Sequence, residues 1–305
     1  MWLCQPSLEF YCLWKMWQGQ VKSVRAFIIC GLLIVGAFIT AGLYVRHKTV
    51  TIVVAECQDK KTPIEIPYID AFFLDFFFRE LILRDSLGYT LIGEKPMSFG
   101  GFSDPKRTFF PFITDYCMVR GWKLWEKYKQ YFLNPRYKFW MEESTWTERV
   151  KFIILIDKHQ ISEVFENNIQ DFKLLLGADI STNHLLEQSQ NKPLLKNILN
   201  NQEALIGILL GYGRDNAWWY HNRDKSLKNP SVWGRECQNK FKLPWKKYQI
   251  EELALPGFVG DPDSSETILL KQRYLNARKR LLDYYKNKNF LEATLNLFKN
   301  GPDSV

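Results

Sequence analysis

Ala26-Phe27-Ile28-Ile29-Cys30-Gly31-Leu32-Leu33-Ile34-Val35-Gly36-Ala37-Phe38-Ile39-Thr40-Ala41-Gly42-Leu43-Tyr44-Val45 contains no charged side chain. A helix rises about 1.5 Å per residue, so a run of this length reaches about 30 Å, the thickness of a bilayer hydrocarbon core. The stretch therefore reads as a transmembrane helix over 26–45, with a short tail (1–25) before it and a body (46–305) after it. A cleavable export signal shares the basic leader (Lys22, Arg25) and the small residues Gly36, Ala37, Ala41 and Gly42. Such signals have a shorter apolar core, about 7–15 residues. Cleavage after Ala41 would also place Ile39 at the third position back, a poor fit, so retention is the reading taken.

The tail carries Trp2, Trp14 and Trp17, residues suited to headgroup depth, while Met16 offers a more conventional start with Lys22 and Arg25 as the leader. Basic residues flank the span on both sides, with Arg46 and Lys48 directly after it. The shorter amino-terminal side favours a body on the exported face of the membrane.

Over the whole chain, 15 % aromatic content and a net charge of +8 describe an aromatic-rich, lysine-rich protein. Lys240, Lys242, Lys246 and Lys247 with Arg273, Arg278, Lys279 and Arg280 would suit an anionic lipid or RNA, yet Glu251, Glu252 and Asp283 interrupt them. The reading is a solvated face. Nucleic acid is not an expected partner; membrane lipid at the span and an unidentified protein are. Of the six cysteines only Cys57, Cys117 and Cys237 follow the span, without the C-x-x-C spacing of a zinc or redox site. One bridge with one free thiol fits an exported body, and three thiols fit a reducing compartment.

Along the body, Thr49–Ala55 reads as a strand, and Pro67 opens a helix over Tyr68–Arg84 whose broad Phe72, Phe73, Phe76 and Phe77 arc faces core or lipid. Tyr89–Phe102 reads as a β-hairpin turning at Gly93, with Pro96 on an edge strand. Tyr116–Phe132 spaces Trp122, Trp125, Tyr128 and Phe132 at helical intervals. Lys151–Asp157 is a buried strand or the start of a helix. The C-terminal half is helical, with start signals at Ser181, Pro193, Asn200 and Asp263 and a last helix over Phe290–Phe298. Glu142-Glu143-Ser144-Thr145 marks a candidate subdivision near 142–150. The fold class expected is mainly α: one N-terminal transmembrane helix, then a predominantly helical body with a small β-hairpin.

Chemistry concentrates in Gly207-Ile208-Leu209-Leu210-Gly211-Tyr212-Gly213-Arg214-Asp215-Asn216-Ala217-Trp218-Trp219. Gly207 and Gly211, four apart, favour close helix packing. Asn216 stands where a third dinucleotide-binding glycine belongs and no strand precedes, which rejects that fingerprint. Arg214, Asp215 and Asn216 between Tyr212 and Trp218 form either a ligand-binding cluster or a helix crossing whose polar groups satisfy one another. His47, His159, His184 and His221 stand apart, and no nucleophile elbow, Walker loop or H-E-x-x-H occurs. No metal, cofactor or catalytic residue is expected. The function expected is a binding or interaction module at the bacterial envelope; the alternative is an enzyme of unrecognised type around Arg214, Asp215 and Asn216.

The stretches Leu83-Arg84-Asp85-Ser86-Leu87-Gly88-Tyr89-Thr90-Leu91-Ile92-Gly93-Glu94-Lys95-Pro96 and Leu205-Ile206-Gly207-Ile208-Leu209-Leu210-Gly211-Tyr212-Gly213-Arg214-Asp215-Asn216-Ala217 resemble those of uncharacterised proteins of intracellular bacteria. The resemblance implies a bacterial origin and says nothing of mechanism.

Overall fold

The computed structural model describes residues 49–55, 61–106, 113–144, 147–189, 192–223 and 249–304. The chain divides into two compact units, one of residues 1–50 with Pro67–Ile69, the other of Thr51–Ile66 with Asp70–Val305. The second unit carries the architecture that follows.

Strands β1 (Thr49–Ala55) and β2 (Lys61–Pro67) pair with each other. Helix α1 (Tyr68–Arg79) runs directly into a π-helical turn, Glu80–Arg84, and a short α2 (Leu87–Leu91) follows. A three-stranded sheet then forms from β3 (Met97–Ser103), β4 (Tyr137–Glu143) and β5 (Val150–Asp157), in the order β3-β5-β4 and antiparallel throughout. Helix α3 (Ile113–Phe132) lies between β3 and β4 in sequence. After β5 come α4 (Lys158–Asn167), α5 (Ile169–Leu176), α6 (Thr182–Gln188), a π turn at Leu194–Ile198, α7 (Glu203–Leu209) and α8 (Arg214–Asn222). Helices α9 (Ser265–Tyr285) and α10 (Phe290–Asn300) close the chain.

The central strand explains the layering. Ile153, Ile154, Leu155 and Ile156 are all fully buried, which an alternating strand with one wet face would not allow. On one face Phe152, Ile154 and Ile156 join Met97 and the apolar sides of α4 to α8, among them Phe165, Phe172, Leu185, Leu195 and Leu205. Leu155 on the other face stands opposite Phe139 of β4, and paired residues share a face. There Phe139 meets Trp125 of α3 at 5.4 Å and Phe298 of α10 at 5.3 Å, while Phe78 of α1 meets Trp125 edge-on at 5.4 Å. Offset and edge-on rings of this kind add about 0.5–1.5 kcal/mol per pair beyond the area they bury.

Asp157 ends β5 and starts α4. Its fully buried carboxylate accepts His159 N and Gln160 N and pairs with Arg136 at 2.7 Å, so one side chain caps a helix and ties it to the start of β4. Of the candidate subdivision near 142–150, Glu142 and Glu143 end β4 and Val150 opens β5, and Ser144 N donates to Val150 O.

Four expectations are corrected. The single-pass membrane fold, the membrane location and the exported body all require a membrane-crossing helix, and among the described residues no helix is long and apolar enough to cross a membrane. Helices α3 and α9 have the length, 20 and 21 residues. Both are charged along one side, through Arg120, Lys123 and Lys127 in α3 and Lys271, Arg278 and Asp283 in α9. The expected span over 26–45 lies outside the described residues, and the aromatic arc of α1 buries Phe76, Phe77 and Phe78 within protein rather than lipid. The fourth correction concerns the hairpin over 89–102. Tyr89–Leu91 is helical, Tyr89 is fully buried with its hydroxyl donating to Ala254 O, and β3 pairs with the distant β5 instead. Pro96 precedes the edge strand of that sheet, where its missing donor costs nothing.

Phe298 touches α1, α3 and β4 through its ring. Phe298→Ala is expected to destabilise the fold by about 3–5 kcal/mol, read as a lower urea midpoint with an unchanged denaturant slope.

Candidate functional site

The site begins with a tight helix pair. A Cβ on Gly207 of α7 would stand 2.9 Å from Ala217 Cβ of α8, closer than two such atoms approach, so the absent side chain lets the two helices touch. The chain reverses between them over Leu210–Gly213. Glu266 of α9 then receives the free amides at the start of α8, accepting Asp215 N at 3.3 Å and Asn216 N at 2.8 Å.

The polar residues singled out in the sequence part company here. Arg214 donates through Nε and Nη2 to both oxygens of Asp171 on α5, at 2.6 and 2.9 Å, a two-pronged pair. Asp215 is turned to solvent, its side chain 74 % exposed. Asn216 is buried, donates to Tyr212 O and accepts from Thr267 Oγ1 at 2.7 Å, which ties α8 to α9. Trp218 packs edge-on against His221 at 5.5 Å. Gly211 takes a positive φ of 73° and its carbonyl accepts the buried Tyr274 hydroxyl at 2.6 Å.

Of these residues Gly207, Tyr212 and Asn216 border a cavity of about 320 Å³. Its walls are otherwise apolar: Phe99 of β3, Ile206 and Leu210 at α7, Ala217 and Tyr220 of α8, and Phe258 and Val259 of the segment leading to α9. Tyr212 and Phe258 stack with ring centres 5.4 Å apart and planes 17° apart, a flat double wall. At the rim Glu203 lies 3.9 Å from Arg223, whose guanidinium covers the Tyr220 ring. Burial raises the Tyr212 phenol to about 12, so it stays neutral at physiological pH.

Beneath the wall sits Lys95, 2 % exposed, its Nζ 5.0 Å from the centre of the Tyr212 ring. No carboxylate pairs with it among the described residues, and burial lowers its ammonium to about 7. A ring face compensates part of the lost hydration of a cation. Sequence reading missed Lys95, Phe99 and Phe258. Glu94-Lys95-Pro96 has the composition of an exposed turn, and Phe258 lies in a Pro-Gly-Phe loop far along the chain. Among the described residues no group of three His, Cys, Asp or Glu can hold a metal ion. No family model, curated protein or solved structure matches the chain.

Lys95 generates a stability prediction. Its folded value lies below the unfolded 10.5, so between pH 7 and 10.5 the unfolded chain holds a proton that the folded chain has released. The lysine therefore destabilises the fold fully below about pH 7, and the penalty fades as pH rises toward 10.5. Lys95→Met should raise stability by about 2–4 kcal/mol at pH 6 and by almost nothing at pH 10.5, measured by urea unfolding across the range.

Proposed function

We propose that this chain is a small-molecule-binding module whose ligand, small, flat and mainly apolar, occupies the cavity beside Tyr212. The observation that carries the proposal is a solvent-open cleft of about 320 Å³ faced mainly by aromatic and aliphatic side chains from β3, α7, α8 and the Phe258 segment. Ligand sites in proteins are concave and mostly apolar, with volumes from about 300 Å³ upward. The stacked Tyr212 and Phe258 rings offer a planar face, and the Asn216 amide is already engaged by Tyr212 O and Thr267, so the interior favours a ligand with few polar atoms.

The alternative of an enzyme built on Arg214, Asp215 and Asn216 has less support. Arg214 is held by Asp171, Asn216 by Thr267, and Asp215 stands in solvent, so the three do not converge on one reacting atom.

Indole, flat and of suitable size, is the probe. Its titration should move the methyl resonances of Ile206 and Leu210 in a saturable way. Val259→Trp, which fills the cavity from a non-helical segment, should weaken the binding by about tenfold, about 1.4 kcal/mol, while leaving the remaining spectrum in place. Shifts spread evenly over the protein, or equal binding by Val259→Trp, would contradict the assignment.

A further inference from the structure

One ring, that of Tyr212, touches both the cleft and the buried amine of Lys95. The lysine is 2 % exposed, and its Nζ stands over the ring at 5.0 Å from the centre. Tyr212 also stacks on Phe258 at 5.4 Å and helps to line the solvent-open cleft. A cation enclosed without a carboxylate recovers only part of its hydration from a ring face. An arrangement that lets water reach the amine is therefore favoured once the amine carries its proton.

The anchoring around Lys95 decides which group yields. Its main chain is fixed on both sides, Lys95 N donating to Tyr89 O at 3.2 Å and Pro96 O accepting Asp157 N at 3.0 Å. Three tyrosines gather at this segment. The Tyr89 hydroxyl donates to Ala254 O at 3.0 Å, and Tyr274, in ring contact with Tyr89 at 5.8 Å, donates to Gly211 O at 2.6 Å. The Tyr212 hydroxyl makes no hydrogen bond among the described residues. Its backbone is held by Asn216 Nδ2 donating to Tyr212 O at 3.1 Å, so the movable part is the side chain. The charged groups of the surrounding elements are engaged with one another. Glu94 pairs with Arg273 and Arg280 of α9, Asp157 of β5 with Arg136, and Glu266 of α9 accepts the first amides of α8. At the rim Glu203 lies 3.9 Å from Arg223, and His221 packs on Trp218. Burial is what brings the Lys95 ammonium down to about 7.

We infer that Lys95 is a proton-operated switch for the Tyr212 wall: over a neutral amine the ring completes the cleft, and over an ammonium it swings aside, admits water and takes the flat face of the cleft away. The consequence for a ligand rests on the cleft being a binding site. A molecule that stacks on Tyr212 selects the neutral amine, so it binds more tightly at pH 8 than at pH 6, and at pH 6.5 its binding releases a proton. With the ring displaced, the hydrated amine returns toward its ordinary 10.5. The displaced arrangement therefore gains about tenfold over the closed one from pH 8 to pH 6 and levels off below that.

Nuclear magnetic resonance on the full chain, first without any ligand, tests the inference. The Overhauser effect between the ring protons of Tyr212 and Phe258 should be about threefold weaker at pH 6 than at pH 8, a change that a nearby charge with unmoved rings does not produce. In Lys95→Met it should be equal at the two pH values. Titration with indole then reads the cleft: affinity should fall by about threefold or more from pH 8 to pH 6 in the unaltered chain and stay constant in Lys95→Met. His221, Glu203 and Glu266 remain in that variant, so a pH dependence that survived the substitution would belong to them and overturn the switch. A ring contact of constant strength across this range in the unaltered chain would overturn it as well. Indole bound at neither pH, with the ring contact still following Lys95, would refute the small-molecule reading of the cleft and support the switch alone.

Discussion

Covering β5 on both faces is the constraint that organises this protein. A strand whose Ile153, Ile154, Leu155 and Ile156 are all shut away from water needs a layer above and a layer below. The two layers differ in chemistry. One is aliphatic, assembled from five consecutive short helices after β5. The other is aromatic, assembled from α1, α3, β4 and α10, elements far apart in sequence that meet through Phe78, Trp125, Phe139 and Phe298.

Two cavities, the one beside Tyr212 and a second lined by Glu80, Asp85 and Asp115, border β3 at the edge of this sheet. An interior strand is covered along its whole length, whereas an edge strand leaves places where neighbouring helices do not close. Phe99 of β3 borders the apolar cavity, and the run from Gly101 to Ser103 borders the acidic one. The contrast between them comes from the helices that meet the strand. Helices α7 and α8 bring Leu210, Ala217 and a stacked tyrosine, while the π turn after α1 brings Glu80 and Asp85. Lys95, buried under Tyr212 without a carboxylate partner among the described residues, is costly to stability.

Helical periodicity was legible wherever one face repeats over several turns, as in Trp122, Trp125, Tyr128 and Phe132, or Leu270, Tyr274, Ala277 and Leu281. The sheet was not. Phe152–Ile156 reads equally as strand or helix, and nothing local says that Met97 will stand opposite Ile156. Gly93 suggested a hairpin, yet its φ of 73° ends a helix, because Tyr89 is drawn inward to Ala254. The polar run at 214–216 suggested one pocket, but its principal partner, Asp171, lies 43 residues away. A long apolar run near the amino end dominated the reading of the fold class, and the described helices instead point their apolar faces at one another. The candidate site depends on a long-range meeting, Tyr212 with Phe258, which no spacing rule encodes.

A crystal structure obtained under xenon pressure tests the central claim most directly, since xenon enters apolar cavities that a protein keeps open and leaves polar ones to water. The account predicts a xenon peak between Phe99, Tyr212 and Phe258. Ordered water filling that space, or side chains collapsed into it with no xenon bound, would contradict it.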